Sequence, residues 1–310
     1  MKISLPILIT CILALNIAGC NTDSIYEDEQ YKTLVYLLSG SENVFATSYT
    51  LNEEEPVRYV SIGCGGSNSN EQDITVTLEP NPAMLDEFNS LNYNYQSEYA
   101  KLLPANRYEI ESYTVTLPAS SDYHYVRMPV KVRPLGLSPD SIYFIPLKIK
   151  SVSRYDVNED KSDVLFRVAI ENDYAEQLVP TYYAKSGTMT NPITVLSGTK
   201  LVQPLEKDKV RMFIGNETYG NTTTVADIEK LSVVVQILED NTLAVTPYND
   251  SMEVEMLDNV NGYNRYVPEL LQGTIKQRVF YLNYRFRLKE SDGTFNEWRE
   301  VEERLIRIED

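Results

Sequence analysis

Apolar and polar positions alternate in short runs along most of this chain. Each run ends at Pro, Gly, Asn or Asp, which is the signature of strands rather than of helices. In the first half such runs occupy residues 33–38, 57–62, 74–78, 108–117, 123–132, 143–149 and 164–170. In the second half they occupy residues 193–196, 200–202, 210–214, 233–238 and 243–245, with Met252, Val254 and Met256 alternating with Glu253 and Glu255. The strongest alternation is near the C-terminus. There Phe280, Leu282, Tyr284, Phe286 and Leu288 take one face, and Tyr281, Asn283, Arg285, Arg287 and Lys289 take the other. The fold class is therefore all-β. Short strands at this spacing predict a β-sandwich with a helical insertion for the first half. The long hairpins that end the chain predict an antiparallel β-barrel or curled sandwich for the second.

Two stretches break the period. Asn81-Pro82 caps a helix that puts Met84, Leu85 and Phe88 on one face, and residues 95–103 add a further helical turn or two. That helical unit is expected to pack across an open end of the sandwich. Thr224, with Asp227 three residues on, has capping-box spacing for a short helix ending near Leu231. Pro180, ahead of Thr181-Tyr182-Tyr183-Ala184, marks a short linker. The expected organisation is residues 1–19 as leader, 20–31 as an acidic tether, 32–178 as the sandwich and 179–310 as the barrel-like domain.

Residues 3–18 form an apolar segment behind Lys2, short enough for a secretory leader. Its end, Ile17-Ala18-Gly19-Cys20, resembles the bacterial lipoprotein box, which implies that Cys20 is acylated and begins the mature chain. The polar stretch that follows resembles the acidic tether of surface-exported Bacteroidetes lipoproteins. The expected location is the outer membrane, on the cell surface, with lipid as the only membrane contact.

Charge narrows the partners. A formal net charge of −17 argues against nucleic acid and against an electrostatic hold on anionic lipid. Of three cysteines, Cys11 lies in the leader and Cys20, on the lipoprotein-box resemblance, would carry lipid, so Cys64 is left without a disulfide partner and reads as a buried thiol. The only histidine, His124, has no nucleophile motif beside it. Residues 156–160 have alternating oxygen ligands, yet Lys161 and Arg167 stand where a calcium loop needs Gly and Glu. No cofactor or metal is expected. Glu253 and Glu255 form one of many acidic pairs, and only a measured separation in a cleft would make them catalytic.

Several motifs together resemble a known family. Tyr31-Lys32-Thr33-Leu34-Val35-Tyr36, Val60-Ser61-Ile62-Gly63-Cys64-Gly65-Gly66-Ser67, Leu102-Leu103-Pro104, Ser138-Pro139-Asp140 and Tyr143-Phe144-Ile145-Pro146-Leu147 resemble a domain of unknown function from Bacteroidetes surface lipoproteins. That domain is also found ahead of glycoside hydrolases. Lys200-Leu201-Val202-Gln203-Pro204-Leu205, Val210-Arg211-Met212-Phe213-Ile214-Gly215 and Phe280-Tyr281-Leu282-Asn283-Tyr284 resemble its usual C-terminal companion. The resemblance implies an immunoglobulin-like sandwich, a lipocalin-like barrel and a starch-utilisation-system-like setting. It brings no catalytic residues with it.

Tyrosine is unusually frequent, 23 residues against one tryptophan, and a ring with a polar edge suits a sugar's apolar face and hydroxyls. Tyr219, Tyr263 and Tyr266 on Gly- and Asn-rich stretches, with Trp298, are the candidate carbohydrate-binding residues. Tyr219 and Tyr266 are expected at the surface, whereas Trp298 also reads as a core ring. The expected function is non-catalytic binding of a polysaccharide or oligosaccharide for an outer-membrane transporter complex. The alternatives are a structural or adhesion module that holds partner proteins, or a glycoside hydrolase of unrecognised type.

Overall fold

A computed structural model of the protein describes residues 31–66, 70–119, 124–220, 222–258 and 262–308. The leader, Cys20 and all but the last residue of the tether lie outside the described residues.

The first half contains β1 (Leu34–Leu37), β2 (Val44–Thr50), β3 (Val57–Gly65), β4 (Ile74–Pro80), β5 (Lys101–Leu102), β6 (Tyr108–Glu109), β7 (Thr114–Leu117), β8 (Tyr125–Val132), β9 (Tyr143–Val152), β10 (Asp156–Val157) and β11 (Asp163–Glu171). One sheet has the order β10-β1-β3-β8-β6, and the other has the order β2-β11-β9-β4-β7 with β5 added on β9. Alternation turns Val35, Leu37, Val60, Ile62, Met128 and Val130 of the first sheet and Ile74, Val76, Ile145, Leu147, Phe166 and Val168 of the second into one core. Tyr49 of β2 reaches across and donates its hydroxyl to the Val130 carbonyl at 3.1 Å. Burial raises its pKa, and the nearby Arg58 offsets this only in part.

Three expectations change here. The single run 108–117 is two strands in opposite sheets, β6 on β8 and β7 on β4, because the chain crosses the sandwich between them. The helix Pro82–Asn92 forms, but residues 95–103 give only a 3-10 turn, Gln96–Glu98, and β5. The helix also does not cover an open end of the sandwich. Leu85 packs with Ala100, Phe144 and Leu165 on the outer face of the second sheet, since Phe144 points away from the core that Ile145 enters. Asn89 fixes the return of the chain, with Nδ2 donating to the Ala100 carbonyl and Oδ1 accepting from the Ala100 amide, both at 2.9 Å.

The second half contains β12 (Thr181–Met189), β13 (Thr194–Glu206), β14 (Lys209–Phe213), β15 (Ser232–Ile237), β16 (Leu243–Pro247), β17 (Met252–Met256), β18 (Arg265–Gln272), β19 (Ile275–Leu288) and β20 (Arg299–Ile308). They form one curled sheet in the order β16-β15-β14-β13-β12-β20-β19-β17, with β18 also on β19. The ends nearly meet. At the seam the Val245 amide donates to Met256 Sδ at 3.2 Å in place of a backbone ladder. Tyr183, Val202, Val210, Met212, Val235, Phe280, Leu282, Tyr284, Phe286 and Leu305 fill the interior. Thr224 and Asp227 form the expected reciprocal capping box of the helix Val225–Leu231.

A short connection is fixed by side chains at both ends. Asn172 Nδ2 donates to the carbonyls of Glu206 (2.7 Å) and Lys209 (3.0 Å), and its Oδ1 accepts from the Tyr174 and Ala175 amides. Gln177 Nε2 donates to the carbonyls of Pro139 (3.0 Å) and Ser141 (2.8 Å). Loop Ser138-Pro139-Asp140 is thereby pressed against the barrel.

Candidate functional site

The inward and outward faces of the barrel carry different chemistry. Inside, Lys200 of β13 donates to both carboxylate oxygens of Glu303 on β20, at 2.6 and 2.8 Å. Both side chains are almost completely buried. Lys185 of β12 donates to the Gly215 carbonyl at 3.0 Å. Burial lowers the pKa of that ammonium, as does the charge of Lys200 beside it. The fully buried Tyr284 hydroxyl lies beside Glu303 and Gly215 but meets neither at hydrogen-bond geometry. Such a pair is costly to desolvate unless each charge is met, and here it bridges β13 and β20 across the intervening β12.

Outside, the candidate residues fall in different places. Tyr266 is a correction: it is only 5% exposed and belongs to the interior, with its ring 5.1 Å from Tyr174 and 4.7 Å from Phe280. The Gly- and Asn-rich sequence ahead of it reads as a loop, yet β18 forms, with a register shift between Val267 and Leu270 where Pro268 lies. Trp298 is not a core ring. It is half-buried on the outer face, with the guanidiniums of Arg285 and Arg287 at 4.6 and 4.7 Å from its ring centre. Those charges are met by Glu255 and Glu253, so these two carboxylates are tied to arginines and do not face each other across a cleft.

Tyr263 stands on the same outer face, edge-on to Tyr281 at 5.7 Å. Burial raises its hydroxyl pKa, and the Glu302 carboxylate adds to the rise. Tyr281 and Arg285 lie roughly 13 Å apart along the strand, which makes a line of rings and paired charges.

Tyr219 is elsewhere. Its ring rests on Phe213 at 5.7 Å and its hydroxyl donates to Asp140 Oδ1 at 3.2 Å. Burial and the Asp140 carboxylate push its pKa up to about 12. Asp140 also receives the two terminal nitrogens of Arg211, a side chain with no exposed surface. Beneath Tyr219 a slot of about 70 Å³ opens where β13 and β14 stop pairing beyond Gln203 and Arg211. Tyr182, Thr199, Lys200 and Glu217 line it. Tyr182, which the sequence places only at the linker after Pro180, is 54% exposed. Its outward position in Thr181-Tyr182-Tyr183-Ala184-Lys185 was the available signal.

The four candidate rings therefore do not form one groove: two share the β19 face, one closes the slot and one is core. Among the described residues no cluster of His, Cys, Asp and Glu could hold a metal. At the acidic turn, Lys161 Nζ occupies the nearby oxygens itself, donating to the Gly40 carbonyl at 2.9 Å and Asn43 Oδ1 at 3.0 Å.

Comparison with known proteins agrees with this architecture. A family model for an N-terminal domain matches residues 26–156, and a model for a C-terminal domain matches residues 162–306. No curated protein matches the chain. Among solved structures, the fold is similar to a protein of unknown function from Bacteroides ovatus, with a TM-score of 0.68 and 17% identity over 89% of this chain and 94% of that one. It is also similar to a multidomain protein including DUF1735 from Bacteroides ovatus, with a TM-score of 0.63 and 16% identity over 88% and 94%. A third is an auxiliary nutrient binding protein from Bacteroides thetaiotaomicron, with a TM-score of 0.59 and 13% identity over 87% and 92%. Side by side the two family models cover nearly all of the described residues, so the chain belongs to the proteins that carry this N-terminal domain followed by this C-terminal domain.

Proposed function

We propose that the protein is a non-catalytic, lipid-anchored cell-surface protein that binds a polysaccharide or oligosaccharide for uptake by an outer-membrane glycan-utilisation system. Trp298 carries the reading. Its ring lies on two guanidiniums whose charges are already met, beside the Tyr263–Tyr281 pair on the same outer face. A sugar offers an apolar face and polar edges, and rings set among paired charges and amides engage both. The nutrient-binding relative points the same way. The proposed anchor is the acylated Cys20, on the lipoprotein-box resemblance of Ile17-Ala18-Gly19-Cys20; among the described residues no helix is long and apolar enough to cross a membrane.

The test is affinity electrophoresis and calorimetry of the folded protein against a broad glycan panel. Binding of at least one glycan without its cleavage, weakened in Trp298→Ala, is expected. Silence across the panel, or release of new reducing ends, overturns the reading. Co-purification with a transporter without any glycan affinity would favour an adhesion module instead.

A further inference from the structure

We propose that the outer face of the barrel at Tyr182 holds a binding site for a neutral, polyhydroxylated ring, with Tyr182 as its stacking platform and Gln277 as its recessed acceptor. This site is separate from the Trp298 face; it goes beyond the glycan reading above and rests on it only for the class of ligand.

The site exists because two ladders end early. Strand β12 pairs with β20 only from Ala184 opposite Ile306 to Met189 opposite Val301. On the linker side of Ala184, Tyr182 pairs with Leu201 of β13 alone, and Ile308 pairs with Gln277 of β19 alone. Between them lies an open cleft on the outer face, with a volume of about 550 Å³, lined by Pro180, Tyr182, Ala184, Ile306, Ile308 and Gln277. That volume lies within the range of small-molecule sites. On the other side of Tyr182 is the narrow slot closed by Tyr219. One exposed ring thus stands between a space fit for a sugar ring and a space fit for a substituent or a neighbouring residue's edge.

The chemistry of the lining selects the occupant. Tyr182 and Ile308 are 54% and 59% exposed, so an apolar face is offered that nothing in the described chain covers. Gln277 is only 6% exposed. Its Nε2 donates to Gln272 Oε1 at 3.0 Å, while its Oε1 is buried without a hydrogen-bond partner among the described residues. A buried acceptor left unmet is unfavourable, and a ligand that brings a hydroxyl or amide donor to it removes that penalty. At the rim Arg307 and Glu176 face each other at 3.9 Å and leave no net charge for an ionic ligand. An apolar face, a hydrogen-bond donor at the edge and no charge together describe a neutral pyranose.

The purified full-length protein is titrated calorimetrically with malto-, xylo-, manno- and galacto-oligosaccharides, and with oligogalacturonate as the charged comparison. At least one neutral oligosaccharide is expected to bind. Tyr182→Ala is expected to weaken it roughly tenfold, the scale of one aromatic contact. Gln277→Leu, which keeps the bulk and removes the acceptor, is expected to weaken it by roughly the same factor. Hydroxyl-radical footprinting of the unmutated protein gives a reading independent of variant folding: Tyr182 is protected by the bound sugar, and Tyr59 on the first domain is not. Full affinity in Tyr182→Ala with no protection of Tyr182 overturns this site while the glycan reading stands. Binding of oligogalacturonate alone overturns the neutral class. Silence from every sugar overturns the glycan reading itself and this site with it.

Discussion

Asp140, on the loop between β8 and β9, accepts hydrogen bonds from both terminal nitrogens of Arg211 on β14, and so joins the sandwich to the barrel through one bidentate pair. Gln203 and Tyr219 also bind this carboxylate, at 3.1 and 3.2 Å, and the Tyr248 ring lies 5.1 Å from the guanidinium. Removing the carboxylate leaves a cation buried without its partner. Asp140→Ala is expected to lower unfolding stability by about 3–5 kcal/mol, measured by urea denaturation.

The same pair sets an acid limit. Burial alone would raise the Asp140 carboxyl, but the hydrogen bonds and charge of Arg211, with Gln203 and Tyr219, hold it below its ordinary value of 3.8. A carboxylate with a depressed folded pKa stabilises fully above its unfolded value, and this contribution is lost as pH falls through the folded pKa. The urea midpoint should therefore drop on the acid side of that range. In Asp140→Asn this part of the drop should be absent.

Lys200 and Glu303 are expected to behave as a mutually dependent pair. Lys200→Met alone strands a buried carboxylate and should cost about 3–5 kcal/mol, whereas Lys200→Met with Glu303→Leu should recover most or all of it. A double-mutant cycle by chemical denaturation measures this coupling. Additive losses would show that the two side chains do not stabilise each other.

Gly187 of β12 lies so close to β20 that a Cβ there would collide with the backbone of Glu302 and Glu303, and its φ of 152° adds to the restriction. Gly187→Ala is expected to cost about 1–3 kcal/mol through overpacking. The melting temperature reads this, and an unchanged value would mean that β12 and β20 separate more easily than their register indicates.

Tyr266 should act as core and not as a ligand contact. Tyr266→Ala removes a ring packed on Tyr174 and Phe280 and should cost about 3–5 kcal/mol of stability. Any sugar affinity of the remaining folded fraction should be retained, as calorimetry on that fraction can establish.

Cys20→Ala is expected to release the protein from membranes with both β domains folded, because the acyl chains are proposed as its membrane attachment. Detergent-sensitive membrane fractionation that survives the substitution would overturn the anchor.

Local alternation along the chain determined the all-β class, capping residues where it breaks located both short helices, and the motifs of each half pointed to the family. A period of two needs only neighbouring residues, so β19 was legible from Phe280, Leu282, Tyr284, Phe286 and Leu288 alone. Where the period failed, strands were lost. Edge strand β2 is half-buried along most of its length and gives no clean contrast, and the Gly- and Asn-rich sequence ahead of β18 disguised that strand. Alternation also assigns a residue to one of two faces without saying what lies across from it. The Asp140–Arg211 pair spans 71 residues and the Lys200–Glu303 pair spans 103, so only the closed sheet and its docked partner bring them together. The site followed the same rule. Tyrosine abundance pointed to rings, but tertiary structure put Tyr266 inside and left Tyr182 exposed beside Gln277, because where a ladder stops pairing depends on how the whole barrel closes.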